Sequence, residues 1–227
     1  MPASFTPALF RFLAELAAHN EKPWFDANKA RYLRDVRDPM LRFIGALQAP
    51  LAKVSKHFDV DPRPVGGSMM RIYRDIRFSP DKSPYKTAVA AQFSHRAGTE
   101  TAMAGFYLHL QPGSSMLGGG VWRPAPDALQ RIREAIVKDP KGWRAASSPK
   151  GLGADAAFHG EALKRAPRGF DENHPCIEDL KRKDFALGFS LSHREVVGPR
   201  ALSTVVEGYR RMSPFMRFLC KALGLPF

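Results

Sequence analysis

The sequence predicts an α+β domain in which a mainly antiparallel sheet packs with N-terminal, central and C-terminal helices. Three observations lead there. Apolar residues recur at helical spacing through the first quarter of the chain, as Leu9, Phe12, Leu13 and Leu16, then Leu41, Ile44, Leu47 and Leu51. Between residues 68 and 121 the period changes to two, most clearly where Ala104, Phe106, Leu108 and Leu110 alternate with Gly105, Tyr107 and His109. After Pro126 the helical period returns with Leu129, Ile132 and Ile136.

The elements follow in order. Thr6-Pro7 starts a helix, with a capping hydroxyl ahead of a proline at the first helical position. Asn20-Glu21-Lys22-Pro23 breaks it, and Pro23 opens the next with Trp24, Phe25, Asn28 and Tyr32. Pro39 interrupts again before a third helix that reaches Val54 and Phe58. Asp61-Pro62-Arg63-Pro64-Val65-Gly66-Gly67 is a turn-rich break. Four strands are expected next, over Ser68–Tyr73, Thr87–His95, Ala104–Leu110 and Ser114–Val121, with a turn at Pro112-Gly113. Short turns between strands imply an antiparallel meander. Ser147-Ser148-Pro149-Lys150-Gly151-Leu152-Gly153 suggests an exposed loop, and Leu163 to Phe170 is basic and irregular. Phe185, Leu187, Phe189 and Leu191 mark a late strand. Leu202, Val205, Tyr209 and Met212 mark a helix, and Pro214 precedes a last one around Phe215, Phe218 and Leu219. A single domain over 1–227 is expected, with a helical segment at about 6–60, a sheet-rich centre at about 68–121 and a mixed C-terminal part.

Charge sets the functional expectations. Lys and Arg number 35 against 22 Asp and Glu, a formal net charge of +13. That balance attracts anionic small ligands or polyanions. No apolar run approaches the roughly 18 residues of a membrane span. Met1-Pro2-Ala3-Ser4-Phe5 carries no signal-peptide pattern, so a cytoplasmic protein without a membrane partner is expected. Cys176 and Cys220 lie far apart and suit reduced, buried thiols. The histidines form no HxxxH or HxH pair, so no local metal site is expected, and no motif names a cofactor.

The residues that concentrate chemistry run from Arg71 to Lys86. Arg71, Arg74 and Arg77 recur every third position, with Asp75, Asp81, Lys82 and Lys86 among them and Pro80 and Pro84 stiffening the loop. In an extended chain Arg71, Tyr73 and Asp75 share one face, and Ile72, Arg74 and Ile76 the other. Ile72, Tyr73, Ile76, Phe78 and Tyr85 call for cover. One reading is a fixed ion-pair network built on the two aspartates. The other is that two aspartates cannot saturate five cations, so the excess faces a ligand anion, helped by the hydroxyls of Ser79, Ser83 and Tyr85. Tyr85, beside Lys82 and Lys86, would then have an activated phenol.

Three further sets join the candidate ligand-binding residues. Gly118, Gly119 and Gly120 let backbone approach a ligand or another part of the chain, and Trp122 offers a stacking face or fills the core. Trp24 and Asn28 sit one turn apart on a helix, Trp24 as a core residue and Asn28 as an amide for a polar ligand or a backbone group. Lys164, Arg165, Arg168 and Gly169 form either a solvated surface or a wall of the same cavity. There is no Walker A loop, no GxSxG and no Cys/His neighbourhood, so no catalytic residue and no reaction class is assigned.

These motifs, in this order, resemble the family called domain of unknown function 2461. The matching residues are Asn20-Glu21-Lys22-Pro23-Trp24-Phe25 with Asn28-Lys29, the Arg71–Ser79 run with Asp81–Lys86, and Gly105-Phe106-Tyr107-Leu108. Gly118-Gly119-Gly120 with Trp122 and Pro124, and Leu163–Phe170 with Lys183, complete the set. Phe106 departs from it, since the family more often has tyrosine there. The resemblance covers nearly the whole chain and implies a single α/β domain; it brings no activity with it. From the residues, the first functional expectation is a pocket for a small anionic, phosphate-bearing ligand on the Arg71–Lys86 loop. The alternatives are a nucleic-acid-binding module, or a protein-interaction role with the loop as an ion-pair network.

Overall fold

A computed structural model describes residues 5–98, 103–148, 152 and 155–227. Helices occupy the first quarter: α1 (Pro7–Ala18), α2 (Lys22–Ala27), α3 (Lys29–Tyr32), a π-helical turn (Leu33–Arg37) and α4 (Asp38–Val54). Prolines open α1 and α2, where a missing N–H costs nothing. Pro39, expected to interrupt the chain, instead lies in helical backbone that runs on from the π-helical turn into α4. Thr6 flanks α1 in extended conformation, but its hydroxyl makes no capping bond, so the proline alone marks this start.

Among the described residues the sheet has five antiparallel strands in the order β1 (Val89–Ser94), β2 (Ala104–Leu110), β3 (Ser115–Val121), β5 (Phe185–Leu191) and β4 (Ala156–His159). Central helices α5 (Pro126–Lys138) and α6 (Pro140–Ser147) and the short α7 (Ile177–Leu180) fall between β3 and β5, and α8 (His193–Val197), α9 (Ala201–Arg211) and α10 (Ser213–Ala222) close the chain. Phe93 pairs with Phe106, Phe106 with Gly119 and Gly119 with Leu187, so these residues line one face of the sheet. That face is buried under helices, with Phe106 meeting Tyr209 of α9 at 4.7 Å and Trp143 of α6 meeting Phe185 at 5.6 Å. Each such ring, once covered, contributes about 1.5–3 kcal/mol. On the other face Gln92, Ser190 and His159 are exposed and Tyr107 and His109 half-buried, as an antiparallel sheet with one wet side permits.

Three of the four expected central strands are present and antiparallel. Ser68–Tyr73 is not a regular strand. Met70 donates to Ala90 at 2.9 Å and Gln92 to Ser68 at 2.9 Å, after which the segment leaves β1 and pairs with its own return, Lys86 to Ile72 at 2.8 Å and Arg74 to Pro84 at 2.9 Å. Its hydrogen bonds are divided between two partners, so neither ladder extends beyond single bridges at Met69 and Tyr73. The loop expected at 147–153 is corrected at both described ends: Ser147 closes α6 and Leu152 is buried, while residues 149–151 and 153 lie outside the described set. Among the described residues no helix is long and apolar enough to cross a membrane.

Candidate functional site

Two of the motifs meet. The Asn20 side chain donates to the Tyr85 carbonyl at 2.9 Å and accepts the Tyr85 amide at 3.0 Å. Beneath that pair the Tyr85 ring stacks on Phe25 at 4.1 Å, and the Tyr73 ring lies 5.5 Å from it and 6.5 Å from Phe25. The loop is thereby fixed to the start of α2. Burial is the first cause that raises the Tyr85 phenol above its ordinary value, and Asp26 adds to it. The ring is a buried anchor, and the direction of its shift is opposite to that of the expected activated phenol.

In the outer half of the loop each carboxylate is taken by an arginine, and Lys82 is left with a backbone carbonyl alone. Arg77 donates to both oxygens of Asp75, at 3.0 and 2.7 Å, in a bidentate pair. Arg74 binds Asp81 and reaches Ser79 at 3.3 Å. Asp81 also accepts the Ser83 amide at 2.9 Å, and Lys82 donates to the Ile76 carbonyl at 3.0 Å. Hydrogen bonds from Ser83 and Arg74 hold the Asp81 carboxyl well below the usual range, and hydrogen bonds from Arg77 lower that of Asp75. This half is the ion-pair network that one reading expected.

The inner half is different. Among the described residues Arg71 and Lys86 have neither a carboxylate within ion-pair distance nor a hydrogen-bonded side-chain partner. Partial burial lowers the Lys86 ammonium below its ordinary value, and the Arg71 charge lowers it further, so the two cations lie within electrostatic reach. Asp75 feels Arg71 but is bonded to Arg77.

Cover for the apolar residues is partial. Ile72 and Tyr85 are buried, whereas Tyr73 is 53% and Phe78 93% exposed. Phe78 stands at the tip with the Arg77 guanidinium 5.8 Å from its ring centre. The loop is therefore packed at its base and solvated at its tip, not packed throughout.

The remaining predicted residues do not gather around it. Gly118, Gly119 and Gly120 lie in β3, with β1 and β2 between them and the loop edge. A Cβ on Gly119 would sit 3.0 Å from the Met212 sulfur, and one on Gly120 (φ 142°) 2.0 Å from the Phe185 carbonyl oxygen. The glycines admit α9, α10 and the neighbouring strand, not a ligand. Trp122 follows the C-terminal end of β3, which shares one end of the sheet with Ser94 of β1, whereas Lys86 leads into the start of β1 at Val89. Trp122 thus belongs to the opposite end of the sheet, and at 55% exposure it is no core residue either. Trp24 packs against the core, with Phe12 at 5.7 Å and His19 stacked on it at 5.8 Å. Asn28 uses both ends of its amide within the helices, donating to Trp24 at 2.9 Å and accepting from Arg31 at 2.9 Å. Lys164, Arg165, Arg168 and Gly169 are exposed on a segment whose pairing with residues 181–183 ties it to the far end of the sheet.

Asn20 is the residue that sequence reasoning passed over. It stood inside a quoted motif, but its role depends on a partner 65 positions away. Both cysteines are free and buried, and burial pushes the Cys220 thiol up to about 12. Among the described residues no group of three or more His, Cys, Asp or Glu is placed to hold a metal ion.

No curated protein and no solved structure matches the chain. The model of a family described as conserved hypothetical protein (DUF2461) matches residues 8–218, and with the two motifs joined at Asn20 and Tyr85 lying inside that span, the chain belongs to this family.

Proposed function

We infer that the chain binds a small anionic, phosphate-bearing ligand at the base of the 71–86 loop, with Arg71 and Lys86 as its primary contacts. One observation carries the reading: once Asp75 and Asp81 have taken Arg77 and Arg74, Arg71, Lys82 and Lys86 have no carboxylate partner, and of these Lys82 is bonded to a carbonyl while the Arg71 charge acts on the half-buried Lys86. Two neighbouring cations, one of them half-buried, repel each other, and an anion between them removes that cost. Arg71 offers a planar fork and Lys86 a point charge, a pairing that suits a phosphate or carboxylate. The Asn20–Tyr85 clamp holds the base of the loop before any ligand arrives, which limits the entropy lost on binding. Arg74, Asp75, Arg77, Ser79, Asp81 and Lys82 act as the frame that shapes the loop, and no reaction is assigned to the site.

The test is a melting-temperature screen at fixed ionic strength with phosphate, nucleotides, sugar phosphates and carboxylates. A cognate anion at a hundredfold excess over its dissociation constant stabilises by about 2.7 kcal/mol. Arg71→Ala and Lys86→Ala lose the response, while Arg77→Ala keeps it. If no anion stabilises the wild type more than chloride does, the loop serves structure only.

A further inference from the structure

The opposite end of the sheet carries a separate surface. After Val121 the chain turns at Trp122 and Arg123, and Arg123 adopts φ 48°, a conformation that costs a residue with a Cβ. The Arg123 amide donates to Asp184 Oδ1 at 2.8 Å, and the Glu161 amide donates to Asp184 Oδ2 at 3.0 Å. Asp184 is only 6% exposed. Gly160 (φ 107°) makes room for it, since a Cβ there would fall 2.4 Å from the Asp184 Cβ. One buried carboxylate thus ties two surface turns together, and Trp122, next to the first of them, is exposed.

Of the two turns that Asp184 joins, one carries Arg123 and the other Glu161, whose carboxyl pKa is lowered first by Lys183 and also by Arg123; the chain beyond Glu161 is basic. Arg123, Lys164, Arg165 and Arg168 are exposed, and among the described residues none has an ion-pair or side-chain hydrogen-bond partner. Lys183 is paired with Glu161 at 2.8 Å, while Asp171 and Glu172 are the exposed acids that follow Arg168. The free cations are spread along a segment, which suits successive phosphates of a chain better than one phosphate group. An exposed indole adds a stacking face that any base can use, but only where the base is not already stacked in a duplex.

We propose that Trp122, Arg123, Lys164, Arg165 and Arg168 form a binding surface for single-stranded nucleic acid, with an unpaired base stacked on Trp122 and the phosphates met by the cations. The surface is independent of the Arg71–Lys86 site, from which it is separated by the length of the strands.

The experiment is fluorescence anisotropy of a labelled oligothymidine on the full chain, repeated over a range of salt concentrations. Binding at low salt is expected, and Trp122→Ala lowers affinity by about 5- to 150-fold, the worth of one base–aromatic stack. Trp122→Phe, which keeps a ring, retains most of the affinity, and Arg165→Ala reduces the slope of log affinity against log salt by roughly 0.7. Arg71→Ala changes neither quantity. No binding at low salt overturns the proposal, as does wild-type affinity in Trp122→Ala. It is also overturned if a duplex of equal charge binds as tightly as the single strand, or if polyglutamate competes on equal terms, which would make an acidic protein the partner.

Discussion

Asn20 and Tyr85 exchange two hydrogen bonds, side-chain amide to backbone amide, at 2.9 and 3.0 Å. The geometry is that of one rung of a β-ladder, with a side chain standing in for the second strand. Pro84 has no N–H of its own to offer, so Tyr85 supplies both the donor and the acceptor that anchor this part of the loop. Replacing Asn20 by Ala leaves a part-buried N–H and C=O without partners and is expected to cost about 1–3 kcal/mol. Asn20→Asp keeps the acceptor, loses the donor, and falls between the two. Urea unfolding of the three proteins checks the order.

Gly120 makes a sharper prediction. Its φ of 142° and the Phe185 carbonyl beside it leave no space for a side chain, so Gly120→Ala separates β3 from β5. A loss of about 1–3 kcal/mol or more is expected. Gly113→Ala is the control: its φ of 72° is also strained, but nothing lies within 4 Å of the added atom. Thermal unfolding should show the larger loss at Gly120, and an equal loss at both positions would mean that backbone strain, not strand packing, governs Gly120.

The ion pairs of the loop respond to acid in a defined direction. Asp75 and Asp81 have folded-state pKa values below their ordinary 3.8. Their contribution to stability is present above that value and is lost as pH falls through the lowered folded values. Asp81→Asn should therefore flatten the acid limb of a stability-against-pH curve below about pH 4 and leave the curve near neutrality with a similar shape. Identical acid limbs in the two proteins would show that the contacts of Asp81 with Ser83 and Arg74 contribute nothing in solution. Lys86 runs the other way. Its lowered pKa means that the cost of its charge is relieved as pH rises toward 10.5.

Much of the sheet is legible in the sequence because one of its faces is buried. Phe106 and Leu108 alternate with Tyr107 and His109, and the strand observed there runs from Ala104 to Leu110. The same alternation marks Phe185 to Leu191. The order in which strands pair is not legible, and it decides the glycine run. Gly118 to Gly120 lie against β5, a strand contributed much later in the chain, and no local pattern places them there. Trp143 is fully buried, but α6 is too short to show a period around it. Phe78 is misjudged from its residue type. An aromatic ring predicts cover, yet Ile72 and Tyr85 already secure the loop, and the tip beyond them has no element to pack on. Within the loop, the sequence shows five cations against two carboxylates but not their pairing. Geometry decides it, since Asp75 and Asp81 take Arg77 and Arg74 and leave Arg71, Lys82 and Lys86 without a carboxylate.

The central claim is that Arg71 and Lys86 receive an anion while Arg77 does not. The most direct measurement is an NMR titration that follows the guanidinium Nε–H resonances of Arg71 and Arg77 as inorganic phosphate, and then a nucleotide, is added at constant ionic strength. The Arg71 resonance is expected to shift saturably, to lose that response in Lys86→Ala, and to do so while Arg77, held by Asp75, stays in place. Saturable movement of Arg77 with Arg71 unmoved, or no saturable movement of either, would contradict the assignment.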